Sequence, residues 1–136
     1  MSNTHNIYLI SDSTGETLDR IFLALKAQFE KFDHNLFNFS FTRTENQILK
    51  ILDEVKNKEG SIILYTIVDN KLAKFLSQEA NKKNIPCFGV LGDLILNFSK
   101  LLNQKATSIP SGQHVLNEEY YKRIEAIQFT MNHDDG

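Results

Sequence analysis

The chain is 136 residues long, 41% hydrophobic and 24% charged, with a formal net charge of −2. These figures predict one soluble globular domain, large enough to bury a core without disulfides or metals. They argue against a nucleic acid or a membrane as partner, because a slightly acidic chain is not drawn to an anionic surface.

A single cysteine, Cys87, lies in an apolar run. No intramolecular disulfide is possible, which suits a reducing, cytoplasmic setting, and Cys87 reads as a small packed residue rather than a reactive thiol. Met1–Asn6 is short and polar, unlike a signal peptide, and no apolar run is long enough to span a membrane.

The first element is a short strand, Ile7-Tyr8-Leu9-Ile10. The polar turn Ser11–Thr17 follows, and an amphipathic helix opens behind it with Leu18, Ile21, Phe22, Leu25 and Phe29 at helical spacing. A strand that turns directly into a helix presents backbone N–H groups at the positive end of the helix dipole. Ser11, Asp12, Ser13, Thr14, Gly15 and Thr17 are therefore candidates for binding a phosphate or a substrate. A structural reading stands beside this one. Ser13 or Thr14 is then the N-cap, Ser13 and Glu16 have capping-box spacing, and Asp12 and Glu16 merely complement the dipole. Capping is expected under either reading, and ligand binding would be additional.

Leu36–Phe41 reads as a second strand with Phe37, Phe39 and Phe41 on one face. Ile48, Ile51, Leu52 and Val55 line a helix ending near Gly60. Ser61–Val68 is rich in branched apolar residues, as in a central strand. Asp69 is placed to cap the next helix, which turns Leu72, Phe75, Leu76 and Ala80 inward. Pro86 leads into a fourth strand, Cys87–Leu91, and Leu94, Ile95, Phe98, Leu101 and Leu102 mark a fourth helix. This alternation predicts an α/β fold, a parallel sheet of about four strands with helices on both faces, flavodoxin-like or Rossmann-like. Such sheets bind ligands at the carboxyl ends of their strands. The loops there are Ser11–Thr17, Thr42–Glu45, Thr66–Lys71 and Gly89–Asp93. They would bring Asp12, Arg43, Asp69 and Asp93 to one crevice, although each taken singly reads as a cap or a solvated charge.

From Gln104 to Asn117 the pattern breaks. The turn Ile109-Pro110-Ser111-Gly112 marks a binding loop or a surface connection. A C-terminal helix is expected from about Glu118 to Met131, with Tyr120, Ile124, Ile127 and Met131 on its apolar face. His133-Asp134-Asp135-Gly136 reads, on sequence alone, as a polar tail.

Two segments carry a family resemblance. One is the opening strand with Ser-Asp-Ser-Thr-Gly-Glu-Thr at Ser11–Thr17. The more specific one is Pro110-Ser111-Gly112-Gln113-His114-Val115-Leu116, followed by Tyr121, Arg123-Ile124, Ala126, Phe129 and His133-Asp134-Asp135-Gly136. In these the chain resembles the N-terminal half of the bacterial and plant kinase–pyrophosphorylases that regulate pyruvate, phosphate dikinase or phosphoenolpyruvate synthase. One departure is Ser111, which separates a proline and a glycine that are usually adjacent in the family. The resemblance covers essentially the whole chain but only the first half of the family's protein.

The resemblance implies a bifunctional enzyme acting on a threonine of its target, whose catalytic histidine must be phosphorylated for the forward step. One direction uses ADP to phosphorylate the threonine. The other removes the phosphate with inorganic phosphate and releases pyrophosphate. It further implies that His114 and Arg123 join the Ser11–Thr17 turn in binding phosphate or substrate. Arg123 would hold a phosphate bidentately, or pair with Glu119 on the helix surface. Asp134 and Asp135 would be catalytic, binding Mg²⁺ or accepting the threonine's proton. The family's P-loop lies in the other half. None of the six glycines here fits G-x-x-x-x-G-K-[ST], and Gly89-Val90-Leu91-Gly92 lacks both the length and the lysine. The chain alone is thus expected to hold no cofactor and to lack kinase activity, with ADP, phosphate and Mg²⁺ belonging to the complete enzyme and a C-terminal P-loop half as a partner. The alternative is a non-catalytic module for target binding or homo-oligomer formation, or the remnant of a split gene.

Overall fold

Strands and helices alternate without exception over residues 4–107 and 109, the residues that the computed structural model describes. They are β1 (His5–Ser11), α1 (Glu16–Lys26), β2 (His34–Phe39), α2 (Glu45–Val55), β3 (Ser61–Thr66), α3 (Asn70–Lys82), β4 (Cys87–Gly89) and α4 (Gly92–Leu102). All pairings are parallel, and the order across the sheet is β2-β1-β3-β4. Of the two architectures expected, this is the flavodoxin-like order. Ile7 lies between Leu36 and Ile62, and Ile10 between Phe39 and Tyr65.

The chain steps from β1 outward to β2 and then returns across β1 to β3. Right-handed crossovers put the intervening helices on opposite faces of the sheet when the direction of travel reverses. The core divides accordingly. Tyr8, Ile10 and Ile63 pack with Ile48, Ile51, Leu52 and Val55 of α2 and Leu72, Leu76 and Ala80 of α3. On the other face Ile7, Leu9 and Leu64 pack with Leu18 and Phe22 of α1. The reversal between β1 and β3 is the place where such a sheet opens a crevice at its carboxyl edge.

Several boundaries differ from the sequence reading. α1 stops at Lys26 and buries Leu18 and Phe22; Leu25, within it, is exposed, and Phe29, beyond its end, meets the edge of Phe32 at 6.1 Å. β2 stops at Phe39. Phe37 and Phe39 stack on Tyr8 at 4.8 and 6.1 Å, whereas Phe41 has left the strand with φ 54° and stands exposed. β3 ends at Thr66, because the Val68 N–H turns to the Asp12 carboxylate instead of the ladder. β4 ends at Gly89. A Cβ there would come within 2.7 Å of the Tyr65 ring, so only glycine lets that ring lie against the strand.

Cys87 is half-buried against the α2–α3 side of the core, and burial pushes its thiol up to about 12, which fits a packed, unreactive residue. α4 forms as its periodicity predicts, yet it contributes no buried residue. Leu94, Phe98 and Leu101 are 55%, 56% and 80% exposed among the described residues. No helix among them is long and apolar enough to cross a membrane. The expected helix at 118–131, and with it His114, Arg123, Asp134 and Asp135, lies outside the described residues.

Candidate functional site at the carboxyl ends of β1, β2 and β3

β1 delivers two polar residues into a place where a fold needs none. Ser11 is 2% exposed and Asp12 3%. Buried polar groups are costly unless bonded, so their partners define the architecture here. The Ser11 carbonyl accepts from the Thr42 N–H at 2.9 Å, and the Ser13 carbonyl accepts from the Phe41 N–H at 2.9 Å. Thr42 is itself buried. The Ser40 hydroxyl donates to the Thr14 carbonyl at 2.9 Å. These bonds draw the β2–α2 loop onto the β1–α1 turn. From the other side the Asp12 N–H donates to the Thr66 carbonyl at 3.2 Å, and the Val68 N–H donates to Asp12 Oδ2 at 2.9 Å. Three strand-end loops thus meet at Ser11–Asp12.

Asp12 is the electrostatic centre. Burial raises its pKa most, and Asp69 raises it further. The Val68 N–H, Asp12's own backbone N–H and the Arg43 guanidinium lower it in part. Arg43 does not ion-pair with that carboxylate. Its Nε donates to the Asp12 backbone carbonyl at 2.8 Å, and its guanidinium carbon lies 5.4 Å from the centre of the Phe41 ring. Asp69 spends one carboxylate oxygen capping α3, accepting from the N–H groups of Lys71 at 2.9 Å and Leu72 at 3.4 Å. The structure therefore brings Asp12, Arg43 and Asp69 together. Asp93 lies in the first turn of α4, where its charge acts on Tyr65.

The expected cap of α1 is not formed. Gly15, not Ser13 or Thr14, occupies the N-cap position, in the left-handed region at φ 88°, and no side chain bonds to the first turn as a cap. The helix starts two residues later than a Ser13–Glu16 capping box requires. The Ser13 N–H donates to the Ser11 hydroxyl at 3.0 Å, and the two hydroxyls lie 3.3 Å apart. Thr14 Oγ1 receives only a long contact from the Glu16 N–H, 3.4 Å. A complete capping box sits instead at Thr44 and Gln47 of α2.

The arrangement suits an anion. Exposed Thr14, Glu16 and Thr17 flank a helix start that no side chain closes, and Arg43 stands on the same turn. Among the described residues no three His, Cys, Asp or Glu side chains gather as a group that could hold a metal ion. Sequence reasoning gives Ser40 no role, puts Phe41 in the strand and takes Thr42 as the start of a carboxyl-edge loop. Only the long-range bonds that carry the β2–α2 loop across to β1 reveal them.

The family model described as kinase/pyrophosphorylase matches residues 7–136. A Pelagibacter ubique (strain HTCC1062) protein named as a pyruvate, phosphate dikinase regulatory protein is 69% identical over 136 residues, 100% of this chain and 50% of its own length. Proteins of the same name from Geotalea uraniireducens (strain Rf4) and Rhizobium meliloti (strain 1021) are 41% identical over 130 residues and 40% over 134, matching 96% and 98% of this chain and 48% and 49% of their own lengths. The chain thus spans about half the length of the curated relatives it matches.

Proposed function

The chain belongs to the kinase/pyrophosphorylase family, and from that premise we propose that it is the N-terminal half of a bifunctional protein phosphotransferase. The complete enzyme uses ADP to phosphorylate a threonine of pyruvate, phosphate dikinase, or of phosphoenolpyruvate synthase, and uses inorganic phosphate to remove that phosphate as pyrophosphate. The part played by this half is to hold a phosphoryl group, on the threonine or as inorganic phosphate, at the Ser11–Thr17 turn. The observation that carries this reading is the convergence of three loops on a buried Ser11–Asp12 pair beside a helix start with no side-chain cap. Phosphoryl transfer is largely positioning and charge neutralisation, and helix-terminal amides supply both. No P-loop sequence occurs in the chain, so the nucleotide cradle is assigned to the other half, with Mg²⁺ at its phosphates. His114 and Arg123 are assigned to the same phosphoryl site, and Asp134 and Asp135 to the metal or the threonine's proton.

The test uses the full-length Pelagibacter ubique relative, changed to alanine at the positions matching Ser13 and Thr17. Both reaction directions are expected to fall together, about tenfold or more, because one phosphoryl site serves both. Undiminished rates in both directions would remove the turn from the reaction.

A further inference from the structure

We propose that Arg43 is the residue that receives the phosphoryl dianion in the Ser11–Thr17 turn. The inference rests on the reading of that turn as the phosphoryl site and adds the group that gives it charge selectivity.

Three observations lead to Arg43. First, the side chain is held in place without being neutralised. Its Nε is anchored to the Asp12 carbonyl at 2.8 Å and its guanidinium lies over the Phe41 ring. The ion pairs among the described residues are Lys56–Asp53 and Lys82–Glu79, and neither involves Arg43. Secondly, the nearby carboxylate is bonded elsewhere. Asp12 Oδ2 accepts from the Val68 N–H, so two opposite charges close enough to influence each other remain unpaired. Thirdly, the ring beneath the guanidinium is held in an unfavourable backbone conformation. Phe41 has φ 54°, rare for a bulky residue, and is tied there by its N–H to Ser13 and by its carbonyl, which accepts from Gln47 Nε2.

The chemistry follows from the geometry of the group. With Nε occupied, the two Nη nitrogens form a planar fork that matches two oxygens of a tetrahedral anion. A lysine would bring the same charge without the fork and without the bond to Asp12. The ligand class is a phosphoryl dianion, and its source is either inorganic phosphate or a phosphothreonine side chain.

The 136-residue chain is titrated with inorganic phosphate, and separately with a phosphothreonine peptide, followed by ¹⁵N NMR of the backbone amides and of the arginine Nε–H. In the unmodified protein the Gly15, Glu16 and Thr17 amides and the Arg43 Nε–H are expected to shift with one common affinity. Arg43→Gln is expected to weaken binding about tenfold, and Arg43→Lys by less. Whichever titrant loses more affinity identifies the source of the phosphoryl group, and a loss for either supports the assignment. An unchanged affinity in a folded Arg43→Gln protein overturns the role of Arg43 and leaves the turn as the site. Turn amides that stay silent in the unmodified protein overturn the underlying reading. Should the substitutions unfold the domain, the unmodified protein still decides, because turn amides that move while the Arg43 Nε–H does not exclude Arg43.

Discussion

α1 and α2 begin at the same edge of the same sheet and are finished differently. α2 is closed by a reciprocal box. The Gln47 N–H donates to Thr44 Oγ1 at 3.2 Å, and Gln47 Oε1 accepts from the N–H groups of Thr44 at 3.0 Å and Arg43 at 2.6 Å. α1 has hydroxyl residues within reach, yet Ser11 and Ser13 turn to each other and a left-handed glycine stands at the cap. A side-chain cap contributes about 1 kcal/mol. α1 forgoes that contribution: the side-chain contact its first turn does make is the long one from the Glu16 N–H to Thr14 Oγ1, 3.4 Å.

The sharpest way to break this contrast is at Gly15. A Cβ there meets Ser40 Oγ at 3.5 Å, an ordinary contact, so the obstacle to a side chain is the backbone at φ 88° and not space. Gly15→Ala is expected to cost about 1–2 kcal/mol of unfolding free energy and to weaken phosphate binding at the turn. Urea melts and the phosphate titration on one sample measure both. An alanine variant with normal stability would show that the left-handed residue is not what keeps the turn open.

Thr44→Ala is the matched control. Losing the α2 cap is expected to cost about 1 kcal/mol and to leave the affinity for phosphate unchanged. Equal damage to phosphate binding by the two substitutions would erase the distinction between the helices.

The smallest effect concerns Asp12. Its raised pKa means that the folded domain holds the proton more tightly than the unfolded chain. Ionisation therefore removes stability as the pH rises from the ordinary carboxylate range through the raised value. Asp12→Asn keeps an oxygen for the Val68 N–H and removes the charge. The variant is expected to be slightly the more stable protein at pH 7, with the difference closing on acidification below the ordinary carboxylate range. Paired melts against pH test this, and a variant less stable at every pH would show that the charge itself holds the loops together.

What the sequence made legible was the part governed by local periodicity. Ile48, Ile51, Leu52 and Val55 are all buried as their spacing predicts, Asp69 caps α3, and the alternation of elements produces a parallel sheet. The capping box is equally local: Thr44-Glu45-Asn46-Gln47 carries the same signature as Ser13 with Glu16, and the box forms there. Strand ends were less legible, because tertiary bonds decide them. Phe41 continues the alternation of Phe37 and Phe39 on paper, but its N–H is claimed by Ser13 and the chain turns away. The site was half legible. Ser11–Thr17 can be picked out as a polar turn between a strand and a helix, whereas Arg43 reads as an ordinary loop charge until its Nε is seen on the Asp12 carbonyl.

The bonds that build the turn also determine when it comes into being. Arg43 reaches Asp12 across 31 residues, and the Val68 N–H reaches it across 56. Contacts so remote in sequence form only after the loops between them have closed, and they make folding slow. A nascent chain carries the complete Ser11–Thr17 motif long before it carries the three joined loops, which come together only once β3 has docked beside β1. An anion bound there thus favours the fully assembled sheet over partly folded forms, and phosphate at concentrations above its dissociation constant should raise the melting temperature of the whole domain.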